Sequence, residues 1–195
     1  MNRLKRILHS IAGGKSLSGA WKESGFSSEG EAAEAMRYLA DSLNASGEVP
    51  DDRSAIDRSE KAGAVEQVVI YADGASKGNP GPSAVAALAY MPTGELLTSV
   101  SRKIEDGTNN EAEYKAVLEG LRLAHRLRAR GVVVRLDSQL VVRQLSGEYR
   151  IKKDELRTLS WAVEREMANF ESCTFEHIPR EKNREADRLA SNALK

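Results

Sequence analysis

The feature that most constrains the fold is the stretch VVVRLDSQLVV at residues 132–142. Its three β-branched valines predict a buried strand, and Asp137 stands where that strand pattern stops. Leu140, Val141 and Leu145 follow at a spacing that suits a short helix. Open α/β sheets place their chemistry at the carboxyl ends of strands, where the chain switches into a helix. Taken alone, Asp137 is better explained as a helix cap. The prediction that it takes part in chemistry therefore depends on other acids in the chain.

Strand and helix patterns alternate through residues 65–195, which predicts an α/β domain. The strands are predicted at residues 68–72, 84–90, 95–104, 132–137 and 173–178, with a turn at 92–94 joining the second and third into a hairpin. Residues 74–82 are predicted as a turn-rich loop that follows the first strand at Asp73. The helices are predicted at residues 110–129, from Asp137 to Leu145, at 154–168 and at 185–194.

Residues 1–45 predict a small module of three helices, and residues 46–64 predict a flexible linker without apolar periodicity. The module resembles a minimal helix-turn-helix, a weakly specific pattern. The third helix is poorly suited to contact DNA bases, because the first half of this helix is mostly acidic, with Glu29, Glu31, Glu34 and a single Arg37. We expect this module to dock a protein partner, to self-associate or to add nucleic-acid contacts.

Composition excludes several classes of function. Lys and Arg total 29, as do Asp and Glu, so any binding of nucleic acid must come from a local patch. A single cysteine, Cys173, excludes an intramolecular disulfide framework and a cysteine-based zinc site. No apolar run approaches the roughly 18 residues of a membrane span, and the N-terminus is too weakly apolar for a secretory signal. We therefore expect no membrane partner and a cytoplasmic location.

Four acidic residues occupy suggestive positions. Asp73 ends the first predicted strand, Glu113 lies in the first turn of the long helix, Asp137 ends the fourth strand and Asp187 lies near the start of the last helix. Each alone is explained by solvation or capping. Four converging acids, however, raise one another's pKa, and a divalent cation offsets that repulsion. Oxygen ligands favour Mg²⁺ or Mn²⁺, and two such ions could activate a water and stabilise the leaving oxygen of a phosphodiester.

Four sequence blocks contain these acids: DGASKGNPGP at residues 73–82, TNNEAEY at 108–114, DSQ at 137–139 and NREADRLA at 183–190. Together they resemble the signature blocks of ribonuclease H, type 1 branch, in that family's order across residues 66–195. The resemblance implies that Asp73, Glu113, Asp137 and Asp187 are both the catalytic acids and the metal ligands. Glu111 then lies two residues before Glu113, and we expect it to be a solvated neighbour.

The resemblance also implies a ribonuclease H-like five-stranded mixed sheet flanked by helices. It implies cleavage of the RNA strand of RNA–DNA hybrids with two Mg²⁺ ions, Mn²⁺ being possible. Groups near Gly78, Asn79, Asn110 and Gln139 could reach 2′-hydroxyls across the minor groove. Thr108 matches a position that holds a phosphate of the DNA strand, and Asn109 is a further substrate-binding candidate. Loop and cap chemistry is the alternative for Asn79, Asn109 and Asn110.

His177 lies ten residues before Asp187, and the ribonuclease H family has a mobile histidine in the loop before its last acid that assists proton transfer or product release. The alternative is an ordinary histidine at the end of a strand. Two departures from the family stand out: residues 146–153 are too short for a basic, Trp-containing protrusion, and residues 1–64 do not resemble the family's hybrid-binding domain. Competing hypotheses are a catalytically inactive or weak nucleic-acid-binding module, and an enzyme acting on single- or double-stranded RNA.

Overall fold

A computed structural model describes residues 3–45 and 65–195. The chain divides into two compact units with the boundary between Gly63 and Ala64. The predicted linker at residues 46–64 lies outside the described residues, so it stays a prediction, as does the division into module, linker and catalytic domain. Among the described residues, no helix is long and apolar enough to cross a membrane.

The first unit contains the three expected helices: α1 at Arg3–Ala12, α2 at Leu17–Ser24 and α3 at Glu29–Ala45. Helix α2 ends at Gly25, whose φ of 87° is the left-handed conformation that glycine adopts without strain. Ser28 begins α3, since its Oγ accepts a hydrogen bond from the Glu31 amide at 3.1 Å. Small and apolar side chains form the core of this unit, namely Leu4, Ile7, Ala20, Phe26, Ala32 and Ala35.

The second unit is built on the expected five-stranded mixed sheet, and its strand order is β3-β2-β1-β4-β5. The strands are β1 at Gln67–Ser76, β2 at Gly81–Tyr90, β3 at Leu96–Gly107, β4 at Gly131–Leu136 and β5 at Ser172–His177. The helices are α4 at Asn109–Arg126, α5 at Gln139–Leu145, α6 at Asp154–Met167 and α7 at Arg184–Ala193. Strands β1, β2 and β3 pair antiparallel, whereas β4 pairs parallel with both β1 and β5.

Strand β1 is longer than predicted, and Asp73 therefore lies inside it rather than at its end. The segment predicted as a loop from Gly74 continues the hairpin, with Gly74 opposite Val85 and Ser76 opposite Ser83. Strand β3 likewise continues beyond the predicted Ile104 to Gly107. The local sequence is rich in Gly and Ser, which indicates a turn, but ladder hydrogen bonds with a neighbouring strand satisfy its backbone and outweigh that preference.

Two glycines let α4 lie unusually close to β1. A Cβ on Gly120 would be 2.4 Å from Ile70 Cγ2, and a Cβ on Gly74 would be 2.1 Å from the Ala112 carbonyl carbon. Helix α7 covers the other face of the sheet, where Ser101 Oγ donates to the Leu189 carbonyl at 2.8 Å. The cross-strand partners Asp73, Ala86 and Ser101 share that second face. Asp73 thus lies on the α7 side, and its neighbour Gly74 lies against the first turn of α4.

Candidate active site

Asp73 and Asp137 are neighbours because β1 and β4 run parallel in register. Tyr71 is opposite Arg135 in the last pair of this register, and Asp73 and Asp137 each follow two residues later, close enough for Asp137 to repel Asp73. Strand β4 ends at Leu136, so Asp73 lies just past the end of β4 although β1 continues. Asp73 and Asp137 are therefore neighbours although Asp73 lies inside β1 and Asp137 follows the end of β4.

Glu113 is presented by a firmly capped helix. Thr108 Oγ1 accepts from the Glu111 amide at 3.3 Å, while Glu111 Oε2 accepts from both the amide and the hydroxyl of Thr108 at 2.7 Å. This reciprocal capping box corrects the expectation that Glu111 is a solvated neighbour. Two residues on, Glu113 Oε1 accepts from Asn109 Nδ2 at 3.0 Å. Its Oε2 is buried and has no hydrogen-bond partner among the described residues.

Asp187 is the fourth acid, on the first turn of α7. Its backbone amide donates to the Asn183 carbonyl at 3.1 Å, and its Oδ1 accepts from Arg180 Nη2 at 2.7 Å. Arg180 belongs to a single 3₁₀ turn, Arg180–Lys182, that connects β5 to α7. The ion pair places one cation beside the acidic cluster.

The pKa values indicate that the four acids converge. Burial, together with repulsion from Asp137, Asp187 and Glu113, raises the pKa of Asp73 to about 8, while Arg180 opposes the shift. Burial also raises the pKa of Glu113. The Ser138 hydroxyl and the Asn109 amide partly offset that rise, and the Asp137 carboxylate adds to it.

The donors suit a hard divalent cation. All four are carboxylates, and Glu113 offers a buried oxygen without a partner among the described residues. Within residues 3–45 and 65–195, no three Asp, Glu, His or Cys side chains form a ready-made chelating cluster. The carboxylates of the described residues therefore lie within electrostatic range of Asp73 without forming a chelating arrangement.

Most of the substrate-binding candidates lie in the loop after β1 or at the start of α4. Gly78 and Asn79 lie in the exposed loop between β1 and β2, and Asn79 Oδ1 accepts from the Asn109 amide at 3.2 Å. Asn110 is half-buried in the first turn of α4. The remaining candidates are Thr108, which caps α4, Gln139, which is exposed at the start of α5, and His177, which is exposed at the end of β5 opposite Leu136.

Two residues with contacts to the acids were not among the sequence candidates. Arg180 pairs with Asp187, and Asn183 Nδ2 donates to Asp137 Oδ1 at 2.7 Å. The available signal was the position of Asn183 directly before the last helix, four residues ahead of Asp187. That position indicates a helix cap. The contact of Asn183 with Asp137 depends instead on tertiary packing, which the local sequence does not encode.

Comparison with known proteins identifies the family. A family model described as Reverse transcriptase-like matches residues 71–193, more than half of the chain. Ribonuclease HI of Halobacterium salinarum is 35% identical over 162 residues, which are 83% of this chain and 79% of that relative. The chain belongs to the ribonuclease H family.

Solved structures of ribonuclease H proteins share this architecture. RNase H1 from Halobacterium salinarum gives a TM-score of 0.65 at 36% identity, covering 66% of this chain and 97% of that chain. The N-terminal RNase H domain of Rv2228c from Mycobacterium tuberculosis gives 0.65 at 38% identity, covering 66% and 94%. LC11-RNase H1 in complex with an RNA/DNA hybrid gives 0.61 at 35% identity, covering 65% and 96%.

The ribonuclease H part is only a portion of some relatives. The bifunctional protein Rv2228c of Mycobacterium tuberculosis is 38% identical over 129 residues, which are 66% of this chain but 35% of that protein. The chain thus spans about a third of the length of its mycobacterial relatives.

Proposed function

We propose that the protein is an endoribonuclease that hydrolyses the RNA strand of RNA–DNA hybrids. The observation that carries the proposal is the proximity of four carboxylates, from β1, α4, the end of β4 and α7. Three of them repel the fourth, Asp73, and help to raise its pKa to about 8. Like charges held together destabilise a fold, so such a cluster is typical of a functional site. Its membership of the ribonuclease H family and a relative solved with an RNA/DNA hybrid support the substrate class.

Asp73, Glu113, Asp137 and Asp187 are the proposed catalytic acids and metal ligands, with Mg²⁺ as the cofactor and Mn²⁺ as the alternative. Two such ions would supply an activated water and would stabilise the leaving oxygen of the phosphodiester. The protein's own contribution is to hold the carboxylates in place. Asn109 orients Glu113 through Oε1, which leaves the second carboxylate oxygen without a hydrogen bond among the described residues.

Recognition of the hybrid is proposed for the groups around the acids. Gly78, Asn79, Asn110 and Gln139 offer backbone and amide groups suited to 2′-hydroxyls, which distinguish RNA from DNA. Thr108 is proposed to hold a phosphate of the DNA strand. The Thr108 hydroxyl donates a hydrogen bond to Glu111, so binding the phosphate requires that this hydrogen bond break. Asn109 reaches the substrate only if its amide exchanges partners, since it donates to Glu113.

His177 is proposed to move a proton or to help the product leave. It is exposed at the end of β5 and pairs in register with Leu136, the residue before Asp137. The proposed setting is the cytoplasm, where a single thiol such as Cys173 stays reduced.

The test is a cleavage assay with each strand of the substrate labelled in turn. Matched RNA–DNA hybrid, double-stranded RNA, single-stranded RNA and double-stranded DNA are incubated with the full chain in Mg²⁺ and, separately, in Mn²⁺. We expect internal cuts confined to the RNA strand of the hybrid. Binding of the hybrid without cleavage in either metal would support an inactive nucleic-acid-binding module, and cleavage of RNA lacking a DNA strand would overturn the substrate assignment.

A further inference from the structure

Asn183 contacts the segments that carry three of the four acids. Its Nδ2 donates to the Ala72 carbonyl at 3.0 Å, directly before Asp73, and to Asp137 Oδ1 at 2.7 Å. Its own carbonyl accepts from the Asp187 amide at 3.1 Å. One side chain and one peptide group thus connect β1, the end of β4 and α7 at the level of the carboxylates.

The amide is suited to this place by its hydrogen-bonding inventory. A side-chain NH₂ has two hydrogens, and both neighbours are acceptors, so the opposite orientation of the amide would face oxygen against oxygen. The group stays a neutral donor at every working pH. It therefore holds one oxygen of Asp137 without adding a cation that would compete for the site, and it leaves the other oxygen of Asp137 available.

The burial of Asn183 indicates a role other than stability alone. The residue is 1% exposed, and its Oδ1 is buried without a hydrogen-bond partner among the described residues. A buried acceptor left unsatisfied costs stability, and such a group in a native fold calls for a functional explanation. The two donated hydrogen bonds, one to the Asp137 carboxylate and one to the backbone directly before Asp73, provide one.

We propose that Asn183 is a positioning residue that sets the spacing of Asp73, Asp137 and Asp187 for the reaction. The proposal rests on the hydrolytic function proposed above. Asn183 is too buried to touch the hybrid, so it acts through Asp137 and through the backbone on either side of it. Loss of its amide leaves the parallel register of β1 and β4 intact but frees the Asp137 side chain and the start of α7.

The experiment compares Asn183→Ala and Asn183→Asp with the wild-type full chain. The control is Asn192→Ala, an exposed asparagine on the same helix, whose Oδ1 accepts only a surface hydrogen bond from Lys195 at 2.9 Å. We expect kcat on the hybrid to fall about 100-fold in Asn183→Ala, because small misplacements at a reacting centre cost that much, with KM within roughly threefold. Asn183→Asp should fall further, since its carboxylate faces that of Asp137.

A second readout does not depend on cleavage. The Mg²⁺ concentration that half-saturates thermal stabilisation of the substrate-free protein should rise about tenfold in Asn183→Ala, the usual cost of losing a group that orients a metal ligand. Asn192→Ala should match the wild type. A purely structural cap would lower the melting temperature but leave kcat and the Mg²⁺ midpoint of the folded protein unchanged, and that result overturns the proposal.

The outcomes separate this proposal from the function on which it rests. If the wild type cleaves no hybrid, the hydrolytic function fails, and the Mg²⁺ midpoint alone decides whether Asn183 positions the acids. If Asn183→Ala does not fold, the wild type is examined by NMR. Slow exchange of the Asn183 side-chain NH₂ protons and their shift on Mg²⁺ addition support positioning, whereas rapid exchange without a Mg²⁺ response overturns it.

Discussion

Asp73 has the most altered environment of the acidic residues at the site. Burial and three neighbouring carboxylates raise its pKa from 3.8 to about 8, so in the metal-free protein it keeps its proton at neutral pH. Its identity as an acid near a strand end was predictable from the sequence. The residues around it were not predictable. The parallel register of β1 with β4 and the start of α7 bring Asp137 and Asp187 close to Asp73, although they are 64 and 114 positions away in the sequence.

The raised pKa predicts how stability depends on pH. Between about pH 4 and pH 8 the folded state holds a proton on Asp73 that the unfolded state has released, so the free energy of unfolding falls as pH rises. Asp73→Asn removes this penalty in EDTA. We expect its stabilisation over wild type to grow through that window by up to ~1.4 kcal/mol per pH unit, the slope for one proton, and to level off above it.

Urea unfolding of both proteins in EDTA at several pH values measures this difference. Asp106→Asn, at an exposed position on β3, is the matched control and should show no such growth. Saturating Mg²⁺ should shrink the advantage of Asp73→Asn, because the cation relieves the repulsion in the wild type. An advantage that stays constant from acid to alkaline pH contradicts the assigned environment of Asp73.

At the scale of elements, the site depends on how closely α4 lies against β1. The sequence predicted a helix at residues 110–129, and the structure has it at Asn109–Arg126 with ten buried positions. It did not predict that DGAS at residues 73–76 continues a strand, because glycine and serine indicate a turn locally. The register with β2 and the contact of Gly74 with Ala112 are long-range packing features.

Gly74→Ala should separate the two elements. Its Cβ would lie 2.1 Å from the Ala112 carbonyl carbon and 2.3 Å from the Glu113 amide nitrogen, and backbone atoms cannot rotate away. We expect a loss of about 3 kcal/mol or more in the free energy of unfolding, measured by urea denaturation, together with a loss of hybrid cleavage. Gly107→Ala, whose Cβ would meet only the Glu111 side chain, at 3.4 Å or more, should cost far less. Equal losses in the two variants would show that the close approach is not the cause.

At the scale of the whole molecule, the sequence indicated the five-stranded sheet, its flanking helices and the three N-terminal helices, all of which are found. The individual strands and helices follow from hydrophobic periodicity and from turn residues, which act over a few positions, whereas the mixed sheet was implied by the family resemblance. The Arg180 and Asn183 contacts could not be predicted in the same way. Asn183 contacts Asp137, which is distant in sequence and meets it only after the sheet has formed, whereas Arg180 pairs with Asp187 across the short segment that begins α7.

The boundary between Gly63 and Ala64 predicts that residues 64–195 fold alone. This fragment contains the whole sheet and the four acids, so it should unfold in one cooperative step and cleave hybrid with a kcat within roughly threefold of the full chain. Circular dichroism melting and the strand-labelled cleavage assay test both expectations. An insoluble or inactive fragment would show that the N-terminal helices complete the catalytic fold.

The most direct test of the four-carboxylate site is single-turnover cleavage of a hybrid, labelled on its RNA strand, in Mg²⁺ by Asp137→Asn. The side-chain amide oxygen that this substitution introduces can still accept the hydrogen bond from Asn183, so the variant should fold with wild-type or slightly higher stability. Its cleavage should nevertheless be undetectable, while Asp106→Asn cleaves as the wild type does. Retained cleavage by folded Asp137→Asn would contradict the assignment of the reaction to these four carboxylates.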